Sequence, residues 1–190
     1  MPLPSVSPET RSTKRDCVER ADRKMECQRR SDLFGEDTKG ATIKRACTAD
    51  ELFGAYRLVH DIFLATGYLT PEPSGLRLRL FETTSETAPF IAQKDGAVVG
   101  VLSVVGDTPD LGLPSDSAFR TEFDTLRAAG RRLCELTNQA VAEDYRRSAV
   151  STELMRCAVA HAVRAGFHEI AASVSPRHRG FYDLIGFRPL

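Results

Sequence analysis

A glutamate set in an otherwise apolar run is the first group with chemical promise: Glu135, inside the stretch RRLCELTNQAV of residues 131–141. Carboxylates are seldom buried, and one that is buried shifts toward its protonated form, which suits it to accept a proton near neutral pH. The plainer reading is a carboxylate at a solvent face, paired with Arg131 or Arg132. Two more groups able to move protons follow in SPRHRGFYDLIGF, namely His178 and Tyr182. Either also has a structural reading, His178 as a hydrogen-bond partner at a helix start and Tyr182 as an aromatic packed beside Phe181. Arg57 could grip a carboxylate with its two-pronged guanidinium or simply face solvent. Asp107 is a candidate ligand for an amine, or an ordinary turn aspartate after a strand. Arg146, Arg147 and Ser148 precede Ala149 and Val150 at the start of a helical pattern, where an anion is favoured. The four histidines and five cysteines lack metal-ligand spacing, so no metal is expected.

The elements that must hold these groups can be read from periodicity. Leu133, Leu136, Ala140 and Val141 mark a largely covered strand. Val150, Leu154, Cys157, Ala158 and Ala162 then recur at helical spacing up to Gly166, and Ile170, Ala172 and Val174 alternate as a second strand. Ser175-Pro176 predicts the cap and first position of a short helix ended by Gly186. A strand-helix-strand unit of this size predicts two parallel strands with the helix covering one face.

Upstream, residues 42–46 read as a first strand, and Thr48 with Glu51 forms a capping box for a helix bearing Leu52, Tyr56, Val59, Ile62 and Phe63. Residues 76–81 alternate Leu with Arg and are either an edge strand or the lining of a substrate's entry path. Asp95-Gly96 between apolar runs predicts a type I′ hairpin. Ser115 or Asp116 is a candidate cap for a helix carrying Phe119, Phe123 and Leu126.

Residues 1–40 stand apart as a charged, poorly apolar extension, disordered or loosely helical, with Cys17, Ala21 and Met25 at helical spacing. The folded domain is expected over residues 41–190. Lys plus Arg and Asp plus Glu both total 26, so net charge argues for neither nucleic acid nor a membrane surface as a partner. No apolar run approaches the roughly 20 residues of a spanning helix, and the N-terminus lacks a signal-peptide core. Five cysteines without a CxxC pair read as reduced thiols in a cytoplasmic protein, with Cys134 and Cys157 in the core.

Pro176-Arg177-His178, then Phe181-Tyr182 and Ile185-Gly186-Phe187, resembles the P-x-H-x-x-F-Y…L-G-F segment of GNAT-fold acyltransferases. Three further strings in order are similar to the branch containing the FeeM-type N-acyl amino acid synthases and the acyl-homoserine-lactone synthases. They are Tyr56-Arg57-Leu58-Val59, then Asp107 with Gly112-Leu113-Pro114 and Asp116, then Leu126-Arg127, Gly130-Arg131 and Glu135-Leu136-Thr137. The resemblance covers residues 42–190. It implies an α/β (α+β) GNAT fold, a mixed central sheet flanked by helices, in which a further strand would follow Phe187; the chain reaches Leu190 without one.

The resemblance also implies a function: transfer of a fatty acyl group from a thioester to the amine of an amino acid or similar small acceptor. No permanently bound cofactor is expected. The donor would be acyl-phosphopantetheine on an acyl carrier protein, or acyl-CoA. Glu135 would accept the amine proton and Tyr182, with His178 as a further candidate, would serve the departing thiolate. Arg57, Asp107, Thr137 and Asn138 would hold the acceptor, and backbone amides near Thr137 to Gln139 would polarise the carbonyl. Arg146, Arg147, Ser148, Ala149 and Val150 would hold the donor phosphate. Acetyl-CoA-dependent GNAT enzymes carry glycines in that loop, and residues 146–151 have none, which favours a single phosphodiester over a CoA pyrophosphate. Asn138 stands where the lactone synthases tend to carry a basic residue, which favours another acceptor. The rival readings are an acetyl-CoA-dependent N-acetyltransferase and a non-catalytic binding module.

Overall fold

The Asp95-Gly96 pair turns the chain as its composition requires. Both residues have positive φ, 48° and 82°, and join strand β2 (Thr87–Lys94) to strand β3 (Ala97–Gly106). In this computed structural model, which describes residues 37–190, that hairpin is the centre of a five-stranded sheet. Strand β1 (Thr42–Arg45) lies antiparallel to β2, and β4 (Leu133–Val141) antiparallel to β3. Strand β5 (Glu169–Ala172) lies parallel to β4, so the spatial order follows the chain order. The expected extension falls outside the described residues, save for 37–40.

Both faces of the sheet are covered. Helix α1 (Ala49–Ala65) starts at Thr48, whose hydroxyl accepts the Glu51 N–H while the Glu51 carboxylate accepts the Thr48 N–H. Its Ala55, Tyr56 and Val59 pack on Ile91, Val101 and Ala140. The crossover helix α3 (Val150–Arg164) lays Val150, Leu154, Met155 and Ala158 on the opposite face, against Phe90, Leu102, Val104 and Leu136. Helix α2 (Asp116–Ala128) closes one end of the α1 face through Phe123, which packs with Leu113 and Leu133. Gly100 of β3 lets α3 approach closely: a Cβ there would meet Val150 Cγ1 at 2.7 Å.

Two irregularities in β4 shape everything that follows. Ala140 pairs with Val101 but Thr137 with Ser103, so β4 carries one extra residue across that interval. Asn138 supplies it, at φ 55°. The bulge turns Thr137 and Asn138 toward the side of Glu135 and α1, and sends Gln139 to the α3 side, as their hydrogen bonds below show. Second, β4 pairs with β5 only from Leu133 to Leu136. Beyond Leu136 the two parallel strands part.

Two local expectations are corrected. Residues 76–81 form no edge strand; they run into a 3₁₀ turn, Leu80–Thr83. Here the Arg79 N–H is taken by the Glu82 carboxylate at 2.6 Å and the Arg77 N–H by the Tyr56 carbonyl at 3.1 Å, which diverts the backbone from any ladder. The Ser115 side chain does not cap α2, because it bonds Glu135 instead. Ser175 stands at the expected N-cap position with Pro176 first, though without a side-chain cap bond, and Pro176–His178 is a 3₁₀ turn leading into helix α4 (Arg179–Ile185), which ends at Gly186 with φ 98°.

Candidate active site

Glu135 is 2% exposed and held from one side. The Ser115 N–H donates to its Oε2 at 2.9 Å and the Ser115 hydroxyl to its Oε1 at 2.6 Å. Burial pushes its carboxyl above the ordinary range, against the pull of the two Ser115 bonds and the Arg79 charge. Pairing with Arg131 or Arg132 is overturned. Arg131 bonds Glu169 at 2.8 Å, and Arg132 donates to the Ala165 carbonyl at 2.9 Å. Thr137 is two positions along the strand from Glu135, so both lie on the α1 side.

The same side carries two arginines that sequence reading had left unplaced. Arg79 reaches Glu82 at 2.5 Å through Nη2 and Thr137 Oγ1 at 3.3 Å. The Glu82 side chain is fully buried and also accepts the Asn138 Nδ2–H at 2.9 Å. Arg77 Nε donates to Asn138 Oδ1 at 3.3 Å, with its guanidinium over the Phe63 ring at 5.3 Å. Thr137 and Asn138, expected as acceptor ligands, are thus tied to this Arg77-Arg79-Glu82 cluster.

On the α3 side, Tyr182 is buried and donates its hydroxyl proton to Gln139 Oε1 at 2.6 Å. Gln139 Nε2 in turn donates to Ser151 Oγ at 2.8 Å, which fixes the amide orientation. Phe181 and Phe187 meet the Tyr182 ring edge-on at 5.3 and 5.2 Å. Burial pushes the phenol up to about 12, so Tyr182 keeps its proton at neutral pH. The Glu135 and Tyr182 side chains therefore lie on opposite faces of β4, near the point where β5 leaves it.

The start of α3 is partly filled by the protein itself. The Ala149 N–H donates to the Asp37 carbonyl at 2.7 Å and the Val150 N–H to Ser148 Oγ at 3.3 Å, while Lys39 Nζ donates to the Asp144 carbonyl. Arg146 and Arg147 are exposed beside it, and Arg147 takes φ 62°, a conformation in which glycine is the unstrained choice.

The remaining candidates are placed elsewhere. Arg57 and His178 are exposed and neither side chain has a hydrogen bond among the described residues. Asp107 is bound by Arg127 through two contacts of 2.7 Å, and Arg127 also reaches Asp116 at 2.8 Å. This network lines a cleft of about 490 Å³ that includes Arg120 and Phe167. Among the described residues no three His, Cys, Asp or Glu side chains are placed to hold a metal, and no helix is long and apolar enough to cross a membrane. Cys134 is buried and Cys157 half-buried.

This arrangement has relatives. The family described as N-acyl amino acid synthase FeeM matches residues 54–190, well over half of the chain. The chain belongs to the FeeM N-acyl amino acid synthase family. Among solved structures it is similar to FeeM, an N-acyl amino acid synthase from uncultured soil microbes, with TM-score 0.69 and 23% identity over 78% of each chain. It is also similar to glucosamine-6-phosphate N-acetyltransferase from Arabidopsis thaliana, with TM-score 0.55 and 11% identity over 79% of this chain and 92% of that one. An aminoglycoside acetyltransferase from an uncultured soil metagenomic sample gives TM-score 0.55 and 14% identity over 78% and 89%. No curated protein sequence matches. The fold is therefore that of the GNAT acyltransferases, and the FeeM-family chain is an N-acyltransferase, which sets aside the binding-module reading.

The Ser115 and Gln139 side chains, with Arg77, Arg79 and Glu82, join the candidate site without having been singled out for it from the sequence. The alternation of Leu and Arg over residues 76–81 was the available signal for the two arginines. Nothing local marked Gln139, because its role depends on which way the bulge turns it.

Proposed function

We propose that this FeeM-family enzyme moves a fatty acyl group from an acyl-carrier-protein thioester to the amino group of an amino acid. The observation that carries the reading is the pairing of a buried, proton-accepting Glu135 with a proton-holding Tyr182 across the opening between β4 and β5. Glu135 takes a proton from the acceptor ammonium, and the free amine attacks the thioester carbonyl. Negative charge developing on that oxygen meets backbone N–H groups of β4 past Leu136, where β5 no longer pairs. The C–S bond then breaks, the amide forms, and the second amine proton leaves to solvent. A thiol of pKa about 8.5 is a weaker base than a tyrosinate near 12. Tyr182 therefore stabilises the departing thiolate chiefly as a hydrogen-bond donor, its one O–H turning from Gln139 to the sulfur. His178, exposed on the preceding turn, is left as a candidate for delivering the thiol its proton.

The carrier-protein donor is supported by the start of α3. With the Ala149 and Val150 amides engaged and no glycine over residues 146–151, Arg146, Arg147 and Ser148 suit one phosphodiester better than a wrapped pyrophosphate. Free thiols at Cys47, Cys134 and Cys157 support a reducing, cytoplasmic setting.

The test is a product screen by mass spectrometry. The protein is incubated with long-chain acyl-carrier protein, long-chain acyl-CoA or acetyl-CoA, each against a pool of free amino acids. An N-acyl amino acid formed from the carrier thioester is the expected result. Products from acetyl-CoA alone would move the enzyme to the acetyltransferases.

A further inference from the structure

The half-buried Arg77, beside the candidate site, makes no ion pair among the described residues. Its neighbour Arg79 is satisfied, since Glu82 binds it through both carboxylate oxygens. Glu82 is then committed twice over, to Arg79 and to Asn138 Nδ2. That second bond fixes the Asn138 amide with Oδ1 toward Arg77, so Arg77 receives a neutral acceptor and an aromatic ring, Phe63, in place of a carboxylate. Burial and the Arg79 charge both act against its protonated form, and the Glu82 charge favours it. Of the two guanidiniums in this cluster, Arg79 alone is bonded to the Glu82 carboxylate, while Arg77 is bonded to the neutral Asn138.

A separate observation points the same way. Ser103 is completely buried, and its hydroxyl has no hydrogen-bond partner among the described residues. Ser103 pairs with Thr137 across the bulge and lies two residues from Val101, which packs under α1. It therefore faces the same side as Glu135, Thr137 and Arg77. A dry, unpaired hydroxyl on the same face as a guanidinium that has no ion pair among the described residues is bonding capacity that a polar ligand could complete.

We propose that Arg77 binds the α-carboxylate of the acceptor and so sets the specificity of this site for free amino acids over other amines. The inference rests on the acyl-transfer reading of Glu135. Guanidinium-to-carboxylate pairing is planar and two-pronged, which suits Arg77 to orient the acceptor as well as to attract it. The spacing is compatible. The three residues from Glu135 to Asn138 span at most about 10 Å of strand. Two hydrogen bonds of about 2.9 Å, plus the short link from amine to carboxylate in an α-amino acid, fill such a gap. Arg77 rather than the exposed Arg57 then has the role expected of an acceptor arginine.

The experiment uses the full chain and paired probes: proteinogenic amino acids and their α-carboxamides, which keep the amine and lose the negative charge. Binding is followed first by thermal shift and calorimetry without donor, then by product formation with long-chain acyl-carrier protein. At least a tenfold preference for free acids is expected in both. Arg77→Met removes that preference by raising KM for the acids more than for the carboxamides, and Arg77→Lys restores part of it. A wild-type protein that treats acids and carboxamides alike overturns the proposal, even if Arg77→Met proves too unstable to study. So does loss of the preference in Arg57→Met with its retention in Arg77→Met. Carboxylate-selective binding that depends on Arg77, without any acyl transfer, would instead sink the catalytic reading and leave the carboxylate site standing.

Discussion

The two faces of β4 at its bulge are built from opposite materials. On the α1 side, Glu135, Glu82, Arg77 and Arg79 crowd charges into a region where Glu135 and Glu82 are nearly or wholly buried. On the α3 side, Gln139, Ser151 and Tyr182 form a neutral chain walled by Phe181 and Phe187. The contrast matches what each of the proposed substrates requires. An amino acid arrives charged at both ends and must lose a proton, whereas a thioester is neutral until its sulfur departs. Charge is worth its desolvation only on the face where charge must be recognised or moved.

The strongest test of this division is Glu135→Gln. It keeps the shape and a bond to Ser115 but cannot accept a proton, so kcat falls about 10²- to 10⁴-fold. Because burial raises the Glu135 carboxyl, the acid limb of the wild-type kcat/KM profile lies above the usual carboxylate value, and the variant loses it. Stability has a definite sign too. A folded-state pKa above the unfolded one means stability declines as pH rises from the unfolded value through the folded one. Chemical denaturation across pH 4 to 8 should show that decline in the wild type and its absence in Glu135→Gln. A variant with normal turnover would end the assignment of proton transfer to the α1 face.

Next in size is Glu82→Gln, which leaves Arg79 largely buried without its partner at a cost of about 3 kcal/mol in unfolding free energy. Acceptor KM rises and donor affinity stays unchanged if the charged cluster serves only the acceptor. On the other face, Gly100→Ala drives a Cβ into Val150 and Leu154 and costs about 1–3 kcal/mol, seen as a lower denaturation midpoint. It displaces the start of α3, so donor KM should change while the preference among acceptors does not. The smallest effect is that of Tyr182→Phe. The loss of one O–H donor lowers kcat about tenfold, and the freed Gln139 costs about 1 kcal/mol of stability. An effect on acceptor discrimination as large as on turnover would show that the faces are not independent.

Local chemistry was legible without the fold. The Thr48–Glu51 box, the Asp95-Gly96 turn and the helix stop at Gly186 each depend on residues within a few positions of one another, and all three are in place. Glu135 was legible as well, because a carboxylate in an apolar strand is anomalous by its surroundings in sequence. The order of strands and helices, read together with the scattered strings of the family, identified the GNAT sheet.

What sequence alone could not supply were the partners. Ser115 reaches back from 20 positions away to hold Glu135, Arg77 meets Asn138 across 61 positions, and Tyr182 meets Gln139 across 43. Arg57 and Arg77 look alike as residue types, and only packing decides that one faces solvent while the other is folded against β4. One extra residue in β4 puts Thr137 and Asn138 on the same face and sends Gln139 to the other, and the sequence carries no glycine there to announce it. Short-range preferences thus determined the elements of this enzyme. The tertiary structure decided which polar groups lost their water together, and that decision created the site.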